Sequence, residues 1–204
     1  ILNDISHFFN QENVTEIITG CNTTVSIFKN ELPSIFHRPV QSLFDNTRQY
    51  YKENNYTILS TENSSKNQLF THFLSNKNVI TEEIACENLA YLIETNQIVN
   101  AKELLIKKAR QASHKNIILG CTHYPLILDE VLPELPEVNW INPAKFLSRN
   151  TTTNNVNKPQ ITFYTSGSES RFQQQINQYL KLSQYKLNGK RHNVPSLVSN
   201  PSLV

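Results

Sequence analysis

The chain has 204 residues, of which 38% are hydrophobic and 18% charged, and its formal net charge is +2. This suits a globular protein with a sizeable core, built as one large domain or two small ones. The small, mixed charge gives no argument for a nucleic acid, an anionic membrane or an acidic partner. No apolar run approaches the roughly 18 residues that a membrane-spanning helix needs.

Cysteine usage indicates a reducing compartment. Cys21, Cys86 and Cys121 are too few, and odd in number, for a disulfide framework. Their spacing matches no zinc motif, so we expect no metal site. The first residues, ILNDISHFFNQENVTE, lack the basic region and small-residue cleavage site of a signal peptide. We therefore expect a cytoplasmic protein that does not associate with a membrane.

In the first half of the chain, short apolar segments alternate with segments of helical periodicity. Residues 4–12 predict the end of a helix. The elements that follow are a short buried strand (TEIITG), a helix (CNTTVSIFKNEL), a strand or linker (RPV), a helix (SLFDNTRQYYKENN), a strand (YTILST), a helix (SSKNQLFTHFLS), a strand (NVITEEI) and a short helix (CENLAYLIETN).

The second half continues the alternation. NAKELLIKKARQAS predicts an amphipathic helix with Asn100 as its N-cap and Glu103 three residues on, as in a capping box. The later elements are a strand (KNIILG), a helix that begins at Pro125 (PLILDEVLPEL), a strand (VNWINPA), a polar loop (SRNTTTNNVNKPQ), a strand (ITFYTSG), a helix (SESRFQQQINQYLKL) and an extended tail. Because strands alternate with helices almost throughout, the sequence predicts an α/β fold with parallel sheets.

Two segments about 100 residues apart share one pattern. EIITGCNT, residues 16–23, and NIILGCTH, residues 116–123, both have apolar β-formers, a glycine, a cysteine and small polar residues before a predicted helix. Ligands bind at the C-terminal ends of strands in parallel sheets, and both cysteines fall there. We expect Gly20 and Gly120 to allow a close backbone approach or a special turn.

These positions favour reactive thiols. Each cysteine precedes a predicted helix, whose unpaired N–H groups can lower the pKa of a thiol from about 8.5. Asn22, Thr23 and Thr122 could hold a carboxylate, and His123 could exchange a proton with Cys121. A lone cysteine beside an apolar strand is more often a buried structural residue, but two such elements favour at least one reactive thiol.

The remaining cysteine and the pairing of the other two bear on the chemistry. Cys86 has no comparable setting, and we expect it to be structural. One cysteine with a histidine would suit nucleophilic acyl transfer. Two cysteines in equivalent halves suit acid–base catalysis that inverts a stereocentre, because one thiolate removes a proton while the opposite thiol supplies one. No nucleotide fingerprint, phosphate loop or cofactor lysine is visible, so we expect no cofactor.

Several segments resemble those of a known enzyme family. ITGCNTTVS resembles the first cysteine segment of the glutamate racemases, and LGCTHYPLI closely resembles their second. YTILSTENSSKNQLF, ACENLAYLIE, NWINPA and ITFYTSGSESRFQ resemble further segments in the family's order, so the resemblance covers about residues 15–180. GCTHYPL is specific to the aspartate/glutamate racemase superfamily, and ACENLAYLIE is closer to its glutamate branch.

The resemblance implies two similar parallel-sheet α/β domains with pseudo-twofold symmetry and an active site in the cleft between them. It implies a discontinuous first domain, residues 1–40 and 145–204, and a second domain over residues 41–144. It also assigns residues: Cys21 and Cys121 as the acid/base pair, His123 and Glu94 as assisting groups, and as substrate-binding residues Asn22, Thr23, Thr61, Ser64 and Thr122.

This sequence departs from the family at several points. The family carries a DSG strand and then a PYG segment before its first cysteine, and neither precedes Cys21 here. Since the family's DSG aspartate pairs with that cysteine, we expect the N-terminal part of the first domain to be missing from this sequence. A protein that began at Ile1 would be expected to be inactive. Ser64 replaces a threonine of the family, and Asn142 an aspartate.

Three functions stay open. The first is a glutamate racemase of a bacterial cytoplasm that interconverts L- and D-glutamate, supplies D-glutamate for peptidoglycan, and has this small molecule as its binding partner. The second is a racemase of the same superfamily for aspartate or another amino acid. The third is a degenerate homologue that binds an amino acid or a protein without catalysis. The sequence does not fix the oligomeric state, and a homodimer is one option.

Overall fold

The computed structural model describes residues 2–28, 30–43, 51, 55–75, 79–149, 163–165, 167–180 and 190–191. Most of the predicted helix at residues 42–55, most of the polar loop at residues 148–160 and nearly all of the tail lie outside the described residues. The chain divides into two compact units, Ile1–Thr152 and Thr153–Val204. Both candidate cysteines belong to the first unit.

A four-stranded parallel sheet lies at the centre of the first unit. Its strands are β3 (Tyr56–Ser60), β4 (Thr81–Ala85), β5 (Asn116–Leu119) and β6 (Asn139–Ile141), in the order β4-β3-β5-β6. All three pairings are parallel. Every residue of β3 is buried, as expected for a central strand that helices cover on both faces.

Helices cover the two faces of this sheet. They are α4 (Glu62–Lys66), α5 (Leu69–Leu74), α6 (Leu89–Glu94) and α7 (Ile98–Ala109). Leu59 and Ile117 face a core formed with α6 and α7. Ile58 and Ile118 face the opposite core, which α5 completes with Phe70 and Leu74. This alternation of neighbouring side chains is the two-residue period of a β-strand.

A smaller parallel pair forms the N-terminal part of the same unit. Strand β1 (Ile17–Thr19) pairs with β2 (Val40–Ser42), and the helices around them are α1 (Leu2–Gln11), α2 (Asn22–Phe28) and α3 (Leu32–Phe36). The prediction that β1 is a buried strand is only half right, because Ile17 is buried while Ile18 is 49% exposed.

Two helix predictions are wrong in detail. Helix α7 begins at Ile98 with Gln97 at its N-cap position and no side-chain cap, so Asn100 lies inside the first turn. There its amide contacts the Gln97 side chain at 3.4 Å. The predicted helix from Pro125 is broken into a 3₁₀ turn (Tyr124–Ile127), a single α-turn α8 (Leu128–Val131) and a second 3₁₀ turn (Leu132–Glu134). Pro133 explains the second break, because its ring cannot continue a helix.

The second unit has its own small set of elements. Strand β7 (Tyr164–Thr165) pairs in parallel with β8 (Lys190–Arg191), and helix α9 spans Glu169–Leu180. The rings of Phe163 and Phe172 meet edge to face at 5.9 Å between centroids. The predicted strand and helix in this region are confirmed.

The parallel α/β class predicted from the sequence is confirmed. The two compact units divide the chain after Thr152. The predicted domain boundaries after residues 40 and 144 stay predictions. Among the described residues, no helix combines the length and apolar character that crossing a membrane would require.

Candidate active site

The two cysteine motifs meet in the first unit. The side-chain amide of Asn22 donates a hydrogen bond of 2.6 Å to the backbone carbonyl of Gly120, although the residues are 98 positions apart. A Cβ placed on Gly20 would lie 3.9 Å from the Thr122 methyl group. Each motif follows a strand, β1 or β5, so the fold brings the C-terminal ends of these strands together.

The two candidate thiols have different environments. Cys21 is exposed, whereas Cys121 is buried with 8% of its surface accessible. They lie close enough for a charge on Cys21 to raise the pKa of Cys121. Val25 of α2 packs in the same core as Ile58 and Ile118. Helix α2 is therefore anchored to the four-stranded sheet, and it holds Cys21 near the end of β5.

His123 links Cys121 to Glu94. Its Nδ1 lies 3.6 Å from the Cys121 Sγ, and its Nε2 lies 3.1 Å from a carboxylate oxygen of Glu94 at the end of α6. A carboxylate only accepts hydrogen bonds, so Nε2 carries the proton in a neutral ring and Nδ1 is left as an acceptor. The imidazole of His123, with the Glu94 carboxylate on its far side, can therefore accept a proton from the Cys121 thiol.

The electrostatics of Cys121 contradict one expectation. Burial raises the pKa of this thiol to about 11, although the backbone N–H groups of His123 and Tyr124 favour the thiolate and lower it. The charges of Cys21 and Glu94 also contribute to raising this pKa. The prediction that a helix N-terminus lowers this pKa overall is wrong, because desolvation of the buried thiol outweighs the N–H groups of a short 3₁₀ turn.

Three hydroxyl groups form a chain beside the motifs. The Thr61 Oγ1 lies 3.0 Å from the Thr23 hydroxyl and 3.0 Å from the Ser64 Oγ. Thr61 is also the N-cap of α4 and accepts a hydrogen bond of 3.3 Å from the Ser64 backbone N–H. Ser64 is completely buried. A ligand in the site would meet Thr23 and Thr61 before it could meet Ser64.

Asn22 carries an unused acceptor. Its residue is 5% exposed, and its Oδ1 has no hydrogen-bond partner within the described part of the protein. A buried amide oxygen without a partner costs free energy, and a donor group on a ligand would relieve that cost. Thr122 is exposed and can reach a ligand from the second motif.

The third cysteine lies behind the site. Cys86 is 2% exposed, and burial raises its pKa to about 12. Its backbone carbonyl accepts a hydrogen bond of 3.5 Å from the Tyr124 hydroxyl. Both residues share the apolar core with Cys121, so the prediction of a structural Cys86 agrees with its burial.

Gly120 is confirmed as a point of close approach. A Cβ there would lie 2.8 Å from the Phe70 ring and 2.9 Å from the Leu59 carbonyl oxygen, and no side chain fits. The contact of Phe70 with Gly120 could not be predicted from the sequence, since no short-range pattern shows that residue 70 reaches residue 120. Within the described residues, no group of three or more histidine, cysteine, aspartate or glutamate side chains could hold a metal ion.

Comparison with known proteins identifies relatives of this chain. No family model matches it. A glutamate racemase 3 of Caldanaerobacter subterraneus is 23% identical over 206 residues, which covers 93% of this chain and 73% of the relative. A glutamate racemase of Carboxydothermus hydrogenoformans is 28% identical over 189 residues, covering 83% and 70% of the two chains. The chain is similar in sequence to these glutamate racemases.

Solved structures show that the chain has the glutamate racemase fold. A glutamate racemase isoform from Bacillus anthracis superposes with a TM-score of 0.78 at 20% identity and covers 95% of this chain and 79% of its own. A Francisella tularensis glutamate racemase in complex with D-glutamate gives 0.76 at 19% identity, with 96% and 80% covered. An aspartate racemase of Picrophilus torridus gives 0.55 at 20% identity, with 70% and 62% covered.

These comparisons bear on the predicted class of the protein. They support an amino-acid racemase, which is an isomerase. Two domains related by pseudo-twofold symmetry are consistent with the glutamate racemase fold.

Proposed function

We propose that this protein is a cofactor-independent glutamate racemase that interconverts L- and D-glutamate by proton transfer between two cysteines. One observation carries the proposal: the motifs of Cys21 and Cys121 meet at the ends of two strands, and His123 and Glu94 stand in line behind Cys121. The names of the relatives supply the substrate, since they are glutamate racemases.

The chemistry follows from two thiols on opposite sides of a substrate carbon. A thiolate on one side removes the Cα proton, and the electron pair of that C–H bond stays on the substrate as a carbanion. The thiol on the other side then gives its proton to the opposite face, which inverts the configuration. Two positioned acid–base groups of this kind each accelerate proton transfer by about 10²–10⁴-fold.

Cys121 is set up first as a proton donor. Because burial holds its pKa near 11, it is a thiol at neutral pH and can protonate a carbanion directly. To act as a base it must lose that proton, and the Nδ1 of His123 at 3.6 Å is the acceptor within reach. Glu94 stabilises the imidazolium that forms. In this way a buried thiol can serve in both directions of the reaction.

The polar groups around the thiols fit an α-amino acid. The unpartnered Oδ1 of Asn22 accepts from a substrate ammonium group. The exposed hydroxyl of Thr122 donates to a carboxylate oxygen of the substrate. The hydroxyls of Thr23 and Thr61 donate to that carboxylate once the substrate displaces the hydrogen bonds that join them to each other and to Ser64. Ser64 is buried, and we assign it the support of Thr61, with which it exchanges hydrogen bonds.

We further propose that the protein works in a bacterial cytoplasm and that the D-glutamate it forms is used for peptidoglycan. The observation behind this part is that the relatives are bacterial glutamate racemases.

Purified protein tests the activity. Incubated with L-glutamate and no added cofactor or metal, it should form D-glutamate, measured by chiral chromatography, until the two enantiomers are equal. Racemisation of aspartate but not glutamate would instead favour the superfamily alternative, for which the Picrophilus torridus structure is the supporting match. Binding of either amino acid without racemisation would favour a degenerate, non-catalytic homologue.

A further inference from the structure

The first turn of helix α5 depends on a residue outside the helix. Its N-cap residue, Gln68, has a left-handed backbone (φ 47°, ψ 41°) and gives no side-chain cap. Instead a carboxylate oxygen of Glu83, on strand β4, accepts hydrogen bonds of 2.8 Å from both the backbone N–H and the hydroxyl of Thr71. The backbone N–H of Phe70 also favours the Glu83 carboxylate. Glu83 therefore acts as the cap of α5.

Glu83 is held on the sheet side as well. The hydroxyl of Thr81, two residues earlier on β4, lies 3.0 Å from the Thr71 hydroxyl. Since the Thr71 proton goes to Glu83, Thr81 donates to Thr71, and the three side chains form one chain from the strand to the helix. The first backbone N–H groups of a helix have no acceptor within the helix and need one from outside it. Glu83 fills that role and fixes the start of α5 on β4.

Phe70, on the same turn, packs against Gly120 of the candidate site. Its side chain is fully buried, and a ring carbon lies 2.8 Å from where a Gly120 Cβ would stand. Gly120 is fixed on its other sides, because its N–H donates to the Leu59 carbonyl at 2.7 Å and its carbonyl accepts from Asn22 at 2.6 Å. The ring of Phe70, together with the Ser60 Cβ at 2.9 Å, closes the Cβ side of Gly120, the residue that precedes Cys121.

We propose that Glu83 is a positioning residue for the racemase reaction: by capping α5 it holds Phe70 against Gly120 and so sets the place of Cys121. The inference rests on the proposed function only in naming the reaction. Interiors are close-packed, so a shift of α5 moves Phe70, and the space it leaves is next to Gly120. A misplacement of about 1 Å can cost a catalytic group on the order of 100-fold in rate.

Neighbouring Glu82 provides a matched control. It lies next to Glu83 on β4 but faces the other side of the sheet. Glu82 accepts from the backbone N–H of Ser113 at 2.8 Å and from two hydroxyls, that of Ser113 at 3.1 Å and that of Thr57 at 2.8 Å. Glu83 likewise accepts from backbone N–H groups, those of Thr71 and Phe70, and from a hydroxyl, that of Thr71. Glu82 and Glu83 are therefore alike in residue type, strand and kind of hydrogen bond, and only Glu83 contacts the helix that carries Phe70.

The experiment compares Glu83→Leu, Glu83→Gln and Glu82→Leu well below the melting temperature of each. We expect Glu83→Leu to lower kcat by about 10-fold or more and to change KM by less than about 3-fold. Glu83→Gln should stay within about 3-fold of the wild type, because its amide oxygen still accepts from Thr71. Glu82→Leu should lose a similar amount of stability but keep kcat within about 3-fold.

A second readout needs no turnover. Cys121 is alkylated with iodoacetamide and its modification is measured separately from that of Cys21 by mass spectrometry. Glu83→Leu should speed alkylation of Cys121 relative to Glu82→Leu. If the wild type does not racemise but this difference appears, the proposed function fails and the positioning role holds. Should Glu83→Leu not fold, Phe70→Leu, which keeps the cap, should show the same effects. Equal kcat and equal alkylation in the Glu82 and Glu83 variants, or in Phe70→Leu and the wild type, would overturn the proposal.

Discussion

The side-chain amide of Asn22 donates a 2.6 Å hydrogen bond to the carbonyl of Gly120, so the residue after one catalytic candidate is tied to the residue before the other. This contact joins α2 to the end of β5. It also leaves the buried Asn22 Oδ1 without a hydrogen-bond partner among the described residues. Asn22 is therefore expected to contribute both to stability and to substrate binding.

Replacing Asn22 with aspartate tests both contributions. Asn22→Asp keeps the shape but cannot donate to Gly120, so it should lower the free energy of unfolding by about 1–3 kcal/mol, and it should raise KM. Asn67→Asp is the control, since the Asn67 amide makes an equivalent bond of 2.7 Å to the Asn63 carbonyl on the exposed surface. That change should cost less than about 0.5 kcal/mol. Equal losses in urea unfolding would contradict the role given to Asn22.

The two glycines that precede the cysteines should differ sharply in tolerance. Gly120→Ala would place a methyl group 2.9 Å from the Leu59 carbonyl oxygen, which the backbone cannot withdraw, so unfolding should become easier by about 1–3 kcal/mol or more. Gly20→Ala meets nothing nearer than the Thr122 methyl at 3.9 Å and has no positive φ. It should be neutral or stabilising by up to about 1 kcal/mol. Thermal unfolding of the two variants provides the measurement. A destabilised Gly20→Ala together with a stable Gly120→Ala would contradict this prediction.

His123 and Glu94 should be needed because Cys121 is hard to ionise. His123→Ala removes the acceptor at 3.6 Å and should lower kcat by about 10²–10⁴-fold. Since the pKa of Cys121 is raised to about 11, the unaided thiolate fraction rises as pH rises toward that value, so the lost activity should partly return at higher pH. Glu94→Gln should cost less, because the imidazole remains. Rate–pH profiles from pH 7 to 10 provide the measurement, and a flat profile for His123→Ala would speak against this role.

Cys86 should matter for stability and not for catalysis. Cys86→Ala should reduce the free energy of unfolding by about 1–2 kcal/mol and leave kcat within about 3-fold. Its pKa is raised to about 12 in the folded protein. A raised folded pKa gives stability that is fully present below the unfolded value of about 8.5 and is lost as pH rises through the folded one. Stability should therefore fall more steeply above pH 9 in the wild type than in Cys86→Ala, as followed by urea unfolding. Loss of activity in a well-folded Cys86→Ala would refute the structural assignment.

The sequence alone was enough for the parts of the fold that depend on local pattern. The apolar runs of β3 and β5 predicted buried parallel strands, and the glycine–cysteine pairs marked the C-terminal ends of β1 and β5 as the candidate site. The meeting of Cys121, His123 and Glu94 agrees with the assignments that the family resemblance implied. These features are visible because each depends on a short, characteristic run of residues.

The parts that depend on distant contacts could not be predicted. The capping-box pattern at Asn100 and Glu103 did not give the helix start, because α7 begins at Ile98 with Gln97 at the N-cap position and no side-chain cap. The pKa of Cys121 depends on burial by residues far apart in sequence. The cap that Glu83 gives to α5 joins a strand to an earlier helix, and no spacing rule points to it.

The direct test of the two-cysteine account is racemisation of L-glutamate in deuterated water. If one group removes the Cα proton and another delivers a solvent-derived one to the opposite face, the D-glutamate formed early should carry deuterium at Cα while recovered L-glutamate keeps protium. Cys21→Ala and Cys121→Ala should each abolish racemisation while remaining folded. Early deuterium in the recovered L-glutamate, protium in the product, or full activity in either cysteine variant would contradict the account.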